Sequence, residues 1–341
     1  MEISTTLKYA GDAVAAAEEA AALEQAGVDV AWVSELYGFD APTIMGFLAA
    51  RTERIRIGSA ILPIYSRTPA LLAQTAAGLD AVSGGRAILG LGASGPQVVE
   101  GWHGVPYDKP IQRTREIVEI VRRVWRREAV TNDGLYPLPL PPGAGTGLGK
   151  PLKLINRPVR ERIPVFLAAL GERNVELVAE IAEGWLPFLF LPEKARTVWG
   201  EALDRGAAKR DAALGPLQTV AGGLLAIGDD TDELLDLARP FAALYIGGMG
   251  AKGRNFYNNV VRRYGYEAEA EQIQELYLSG RKQEAEAAVP RELLRLTNLV
   301  GPEGFVRERL AAFAEAGVTV LNVAPAGPDP LGTLRRLRAL L

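Results

Sequence analysis

Cysteine is absent from the 341 residues and histidine occurs once, as His103. The first absence excludes disulfides, thiol nucleophiles and cysteine-held metals; the second excludes a histidine-rich zinc or iron centre within one chain. Any catalysis therefore rests on carboxylates, hydroxyls, amides or an organic cofactor. No run approaches the roughly 20 apolar residues that cross a bilayer, and the start, "MEISTTLKYAGDA", has no basic segment leading into an apolar one. A cytoplasmic chain with no membrane partner is the expectation. An excess of positive charge is missing too: 38 Lys and Arg stand against 41 Asp and Glu, a net charge of −3. Nothing offers a field for a polyanion, so nucleic acid is not an expected partner.

Apolar residues at 48% and charged residues at 23% place the chain among ordinary globular proteins. Its length suits one large domain, 1–341, with insertions. Short apolar runs alternate with longer amphipathic segments, as parallel strands joined by helical crossovers require. The runs are "EISTTLKY" (2–9), "VAWVS" (30–34), "IRIGSAIL" (55–62), "RAILGLG" (86–92), "IPVFLA" (163–168), "GWLPFLF" (184–190), "TVAGGLLAI" (219–227) and "VTVLNVAP" (318–325). Several are apolar at successive positions, the mark of strands buried on both faces. Between them lie helical segments. Asp12 is placed to cap one, which Gly27 closes, and Gly317 closes another, each ending in "AGV" before a strand.

Eight β/α pairs in order predict an α/β fold, a (β/α)8 TIM barrel. The spacing is uneven after strand 4, at about 129–161, and between strands 7 and 8, at about 239–300. The first insertion contains "YPLPLPPGAGTGLGK", too rich in Pro and Gly for regular structure, and reads as an extended loop near the barrel mouth. The second reads as mostly helical. The runner-up is a doubly wound sheet, suggested by Gly90, Gly92 and Gly95. A dinucleotide fingerprint, however, belongs at the first strand and runs directly into a helix; here it follows the fourth strand.

Ser34 and Glu35 stand where the second strand reaches the rim, and a carboxyl group there is a candidate general acid or base. After the fourth strand, Ala93, Ser94 and Gly95 offer backbone amides and a hydroxyl to a ligand. Leu170 and Gly171 precede a helix whose first amides form a ready anion site. His103 lies some ten residues past the strand-four end and reads as structural. No metal site is expected.

Three stretches carry a strand end into a loop, where the active site of such a barrel assembles: "GSAILPIYSRTP" (58–69), "DAVSGGRAILGLGASGPQVVEGWHGVPYDKPIQRTREIVEIVRRVW" (80–125) and "PVFLAALGERNVELVAEIAEGWLPFLF" (164–190). In them the chain resembles the bacterial luciferase-like flavin and deazaflavin oxidoreductases, particularly the branch that uses coenzyme F420. The terminal "GPEGFVRERLAAFAEAGVTVLNVAP" is in the same style, so the likeness runs nearly the full length.

The resemblance implies hydride exchange between F420 and a small organic substrate. It implies a non-proline cis peptide at Ala60-Ile61 against the back of the ring, and the cofactor phosphate near Gly171, Glu172 and Arg173. It also implies a homodimer, for which the apolar helix "TPALLAQTAAGLDAV" is the expected surface. The family's sugar-phosphate and alcohol dehydrogenases carry an aspartate-histidine pair where this chain has Glu35-Leu36. The sugar-phosphate enzymes also carry an acid where it has "ASGPQ". Both departures leave the substrate open. Flavin mononucleotide, with a luciferase-like monooxygenase activity, is the alternative cofactor; a barrel that binds cofactor without catalysis is the alternative outside enzymes.

Overall fold

Asp12 opens the helix Ala13–Gln25 by accepting from the amides of Val14 and Ala15. Gly27 ends it at φ +91°, a conformation that other residues adopt at a cost. Gly317, at φ +88°, closes the helix Glu303–Glu315 in the same way, again just ahead of a strand. Helix, glycine, strand is thus the repeating local unit. The computed structural model, which describes residues 1–7 and 12–341, closes eight such strands on themselves.

They are β1 (Glu2–Thr6), β2 (Val30–Val33), β3 (Arg56–Ser59), β4 (Ala87–Gly92), β5 (Val165–Ala168), β6 (Gly184–Leu186), β7 (Gln218–Ala221) and β8 (Val320–Asn322). All neighbours are parallel. Ile57 stands opposite Ala87 where β3 meets β4, and Glu2 opposite Val320 where β8 meets β1, so the ring is complete. This is the expected (β/α)8 barrel. Each of the eight apolar runs supplies a strand, although Lys8 and Tyr9 of the first lie outside the described residues.

Two runs do more than expected. The run 219–227 breaks at Gly222-Gly223 and continues as Leu224–Ile227, and the run 318–325 continues as Ala324–Pro325. With Leu299–Gly301 these make a separate three-stranded parallel sheet. Side chains are excluded at the break: a Cβ on Gly222 would stand 2.3 Å from the Asn322 carbonyl oxygen, and one on Gly223 2.4 Å from Asn298 Oδ1.

Inside the barrel, Val30, Trp32, Ile88, Phe166, Val220 and Val320 form a buried plug. The Trp32 and Phe166 rings lie 5.6 Å apart. Glycines on neighbouring strands make room for them. A Cβ on Gly58 would sit 2.2 Å from the Trp32 ring, and one on Gly184 2.3 Å from Phe166.

The first insertion departs in part from its expected position near the mouth. The helix Pro110–Trp125 carries the chain back to the amino-terminal end of the barrel, so residues 126–164 begin and end there. Arg160 binds Asp80 and the Ala87 carbonyl at the foot of β4, and Arg127 binds the Leu154 carbonyl. Between those ends a turn climbs the outside of that helix, where Glu116 accepts from Asn132 and from the amides of Leu135 and Tyr136, and Tyr136 reaches Arg113 beside Tyr65 at the mouth end. The second insertion is helical, as expected, with helices Arg239–Ala243, Phe256–Arg263, Glu267–Leu278, Lys282–Ala287 and Arg291–Thr297. Among the described residues, no helix is long and apolar enough to cross a membrane.

Candidate functional site at the barrel mouth

Side chains alternate along a strand, so a residue two beyond a plug residue faces the same interior, nearer the mouth. By this register Ser34 stands above Trp32, Gly92 above Gly90, Ala168 above Phe166, Gly222 above Val220 and Asn322 above Val320. Thr6 shares the face of Ser4, whose hydroxyl donates to Asn322 Oδ1 at 3.2 Å. Ala60 and Leu186 pack on the top of the plug. Most of these side chains are small. Thr6 is exposed, and Ser34, Ala60, Ala168, Leu186 and Asn322 are partly so, although all face the inside of a closed ring. The upper barrel is therefore a hollow open to solvent, floored by aromatic rings.

The sequence-predicted residues come together on one arc of the rim, from β2 to β5. The Ala60 amide donates to the Val33 carbonyl at 2.8 Å, which sets Ala60 beside Ser34. The Ala60-Ile61 peptide is cis, as the resemblance implied. Leu62–Pro63 then pairs with Leu91 and Gly92 of β4. A Cβ on Gly90 would overlap the Ser59 carbonyl oxygen, and one on Gly92 would stand 2.8 Å from Ile61 Cγ1. Neighbouring strands thus demand these two glycines. Ser94 takes a left-handed conformation, φ +57°. Gly95 differs from the other two glycines: its backbone is extended, and a Cβ there would meet only Gln97 Oε1, at 3.3 Å.

Gly92 pairs with Ala168, so the loop after β5 lies next along the arc. Two indoles hold its carbonyls, Trp185 Nε1 donating to Ala169 at 3.0 Å and Trp199 Nε1 to Leu170 at 2.9 Å. The helix Glu172–Ile181 starts at Gly171 with no side-chain cap, leaving its first amides free for a ligand. The Glu172 carboxylate turns aside to Arg263 at 3.0 Å, while Arg173 is exposed.

Glu35 has an occupation that its sequence position did not reveal. It is buried, with Arg67 donating to both of its oxygens at 2.5 and 2.8 Å, and Oε2 also accepts from the Ala41 amide at 2.8 Å. A carboxylate so held has both oxygens bonded within the chain; it ties the start of the helix Ala41–Arg51 to the loop after β3. Sequence reasoning missed Arg67, although a buried acid at a strand end calls for a nearby cation. It also missed Thr6 and Asn322, whose signal is a polar residue interrupting "ISTT" and "LNV". His103 is half-buried; its amide donates to the Val98 carbonyl at 3.2 Å, and its Nε2 is buried without a partner among the described residues.

A family model for luciferase-like monooxygenases matches residues 1–320. A putative coenzyme F420-dependent oxidoreductase of Mycobacterium tuberculosis is 43% identical over 325 residues, 94% of this chain and 93% of that protein. A 5,10-methylenetetrahydromethanopterin reductase of Archaeoglobus fulgidus is 29% identical over 314 residues, 90% of this chain and 88% of the relative. Among solved structures, the coenzyme F420-dependent tetrahydromethanopterin reductase of Methanopyrus kandleri is similar with a TM-score of 0.81 at 22% identity. That match covers 98% of this chain and 96% of the other.

Proposed function

Because the chain belongs to the luciferase-like monooxygenase family, we propose that it is an oxidoreductase that binds coenzyme F420 in the barrel mouth and moves a hydride between that deazaflavin and a small organic substrate. The observation that carries this reading is the hollow of small side chains beside an open backbone turn and an uncapped helix start. The relative at 43% identity, named as F420-dependent, supports it.

The residues present fit the cofactor. A flat ring needs a bed without bulk, which Ala60 and Ala168 provide, and the space at Gly95 is free of everything but one flexible amide. Its polar edge finds the Ala93 and Gly95 amides and the Ser94 hydroxyl. An anionic tail finds the amides after Leu170 and Gly171 at the start of the Glu172–Ile181 helix, with the Arg173 cation on the same turn. When bound, the deazaflavin supplies an acceptor and donor of two electrons as hydride.

The chain's own work is positional. The Trp32 and Phe166 plug limits how deep a ring can sit. Thr6, Ser34 and Asn322 present hydroxyl and amide groups at the floor, able to orient a substrate oxygen. The Glu35–Arg67 pair fixes two rim loops, so that the arc keeps its shape as water is displaced. Glu35 thus enters the reaction as a positioning residue, and it acts as an acid only where Arg67 releases it.

Equilibrium titration tests the reading. F420 fluorescence should be quenched saturably, with an affinity at least about tenfold, or roughly 1.4 kcal/mol, better than that for flavin mononucleotide. Tighter flavin binding would transfer the proposal to the monooxygenase side of the family. Saturable F420 binding without turnover on any alcohol or ketone offered would make the protein a carrier.

A further inference from the structure

The rim also carries aromatic rings contributed by segments far apart in sequence. Phe188, in the loop after β6, lies 4.1 Å from Tyr245 with the rings tilted by 37°, and meets Tyr257 edge-on at 5.2 Å. Phe241 lies 4.7 Å from Tyr245, and both belong to the second insertion. On the β2 side, Tyr37 faces Trp102 of the loop after β4 at 6.5 Å. The Tyr37 phenol stands close enough to Tyr245 to add to the rise that burial gives the Tyr245 pKa. Rings from the loop after β6 and from the insertion therefore form one wall, and the pair from the loops after β2 and β4 stands as a second group near it.

Two properties of the wall narrow what it can receive. It is open, since Phe241 is 53% exposed and, in the group near it, Tyr37 66% and Trp102 64%, far above what large aromatics show when their only role is core packing. It is also uncharged. Burial raises the pKa of Tyr245 and of Tyr257, and beyond burial only other phenols act on them; among the described residues neither is tied to a carboxylate or a cation. Nearby, Glu35 and Arg67 satisfy one another. A phosphorylated or carboxylated substrate would lose its hydration against these rings and, among the described residues, find no counter-charge on the wall itself. A flat apolar molecule would gain ring stacking, and a carbonyl on it could accept from a phenol.

We propose that the substrate of this site is a flat, uncharged, mainly apolar carbonyl compound, held between the bound cofactor and the wall of Phe188, Phe241, Tyr245 and Tyr257. The proposal rests on the cofactor reading for the opposite face of the slot, but the wall belongs to the chain alone. The test is calorimetric titration of the F420-loaded protein with 2-acetylnaphthalene, a neutral aromatic ketone, and with glucose 6-phosphate. The ketone should bind saturably and the sugar phosphate should not. Phe188→Ala should weaken ketone binding about tenfold or more, the scale of removing an aromatic anchor. Tyr245→Phe, which keeps the ring, should weaken it by roughly 2- to 10-fold, the worth of one hydrogen bond. F420 affinity should stay within about threefold in both, as expected for rings that do not seat the cofactor. Preference for glucose 6-phosphate, or ketone binding indifferent to Phe188→Ala, overturns the proposal. If instead F420 fails to bind the parent protein, the cofactor reading falls, and ketone titration of the cofactor-free protein still decides whether the wall is a binding surface.

Discussion

At Gly95 a single added side chain separates two roles. Gly90 and Gly92 are required by the chain itself, but a Cβ at Gly95 meets only the end of the Gln97 side chain. Gly95→Val should therefore lower stability little, within the usual range of about 0.5–3 kcal/mol for single changes, while weakening F420 binding by far more than unfolding accounts for. F420 titration alongside thermal melting reads both; unchanged affinity would reduce the turn to a connector. Glu35 and Arg67 give the second residue-scale test. Glu35→Gln and Arg67→Met each strand a buried partner and should each cost about 3–5 kcal/mol. As a positioning pair, they should lose turnover together with no change in the pH profile. A further loss of about 10²-fold in the Gln variant alone, the scale of acid–base catalysis, would return the proton role to Glu35. The acid was legible in the sequence from its place at a strand end. Its partner was not, because Arg67 lies 32 positions away on a different loop.

At the scale of elements, glycine and ring are exchanged between neighbouring strands. Gly184→Ala places a methyl 2.3 Å from Phe166 and should destabilise by about 1–3 kcal/mol or more, visible as a drop in Tm. Gly78 is the control. It lies within the helix Pro69–Val82, and a Cβ added there would meet nothing within 4 Å, so Gly78→Ala should stabilise by up to about 1 kcal/mol. Glu176 ties its helix to the next by accepting from Lys209 and Arg205, whose charges lower its pKa to about 2. A depressed carboxylate pKa stabilises the fold above the unfolded value, so this tie holds at neutral pH and fades as the pH falls from about 4.5 toward 2. Acid titration of the Glu176→Gln variant beside the parent should show the difference shrinking over that window. The barrel strands were legible because strands buried on both faces write continuous apolar runs. The separate three-stranded sheet was not, since nothing in "TVAGGLLAI" marks where one sheet ends and another begins except two glycines.

For the whole molecule, the order of β/α units and the positions of the insertions along the chain were readable, and the path of the first insertion over the barrel was not. A Pro- and Gly-rich segment announces irregular structure but not the end of the barrel on which it lies. That follows from the direction of the helix before it. The aromatic wall escaped for a related reason: its members come from the loop after β6 and from separate parts of the second insertion, and only the folded chain brings them together. We further propose that the chain works as one domain and assembles as a homodimer, with light scattering giving twice the 36.6 kDa of one chain; a monomeric mass at micromolar concentration sinks this. The helix Pro69–Val82, expected to supply the contact, spends Leu72, Ala73, Ala76, Ala77 and Leu79 inside the protein and exposes chiefly Leu71 and Val82. The contact must use other surface as well.

The Trp32 and Phe166 plug has a kinetic consequence. A hollow with a sealed floor has one doorway, so whatever rests deeper must arrive first and depart last. Under the proposed function, cofactor and substrate would then not exchange independently: the ligand nearer the rings would leave only after the other has cleared the way. Product-inhibition patterns should accordingly show an ordered rather than a random sequence, and an excess of the outer ligand should slow release of the inner one.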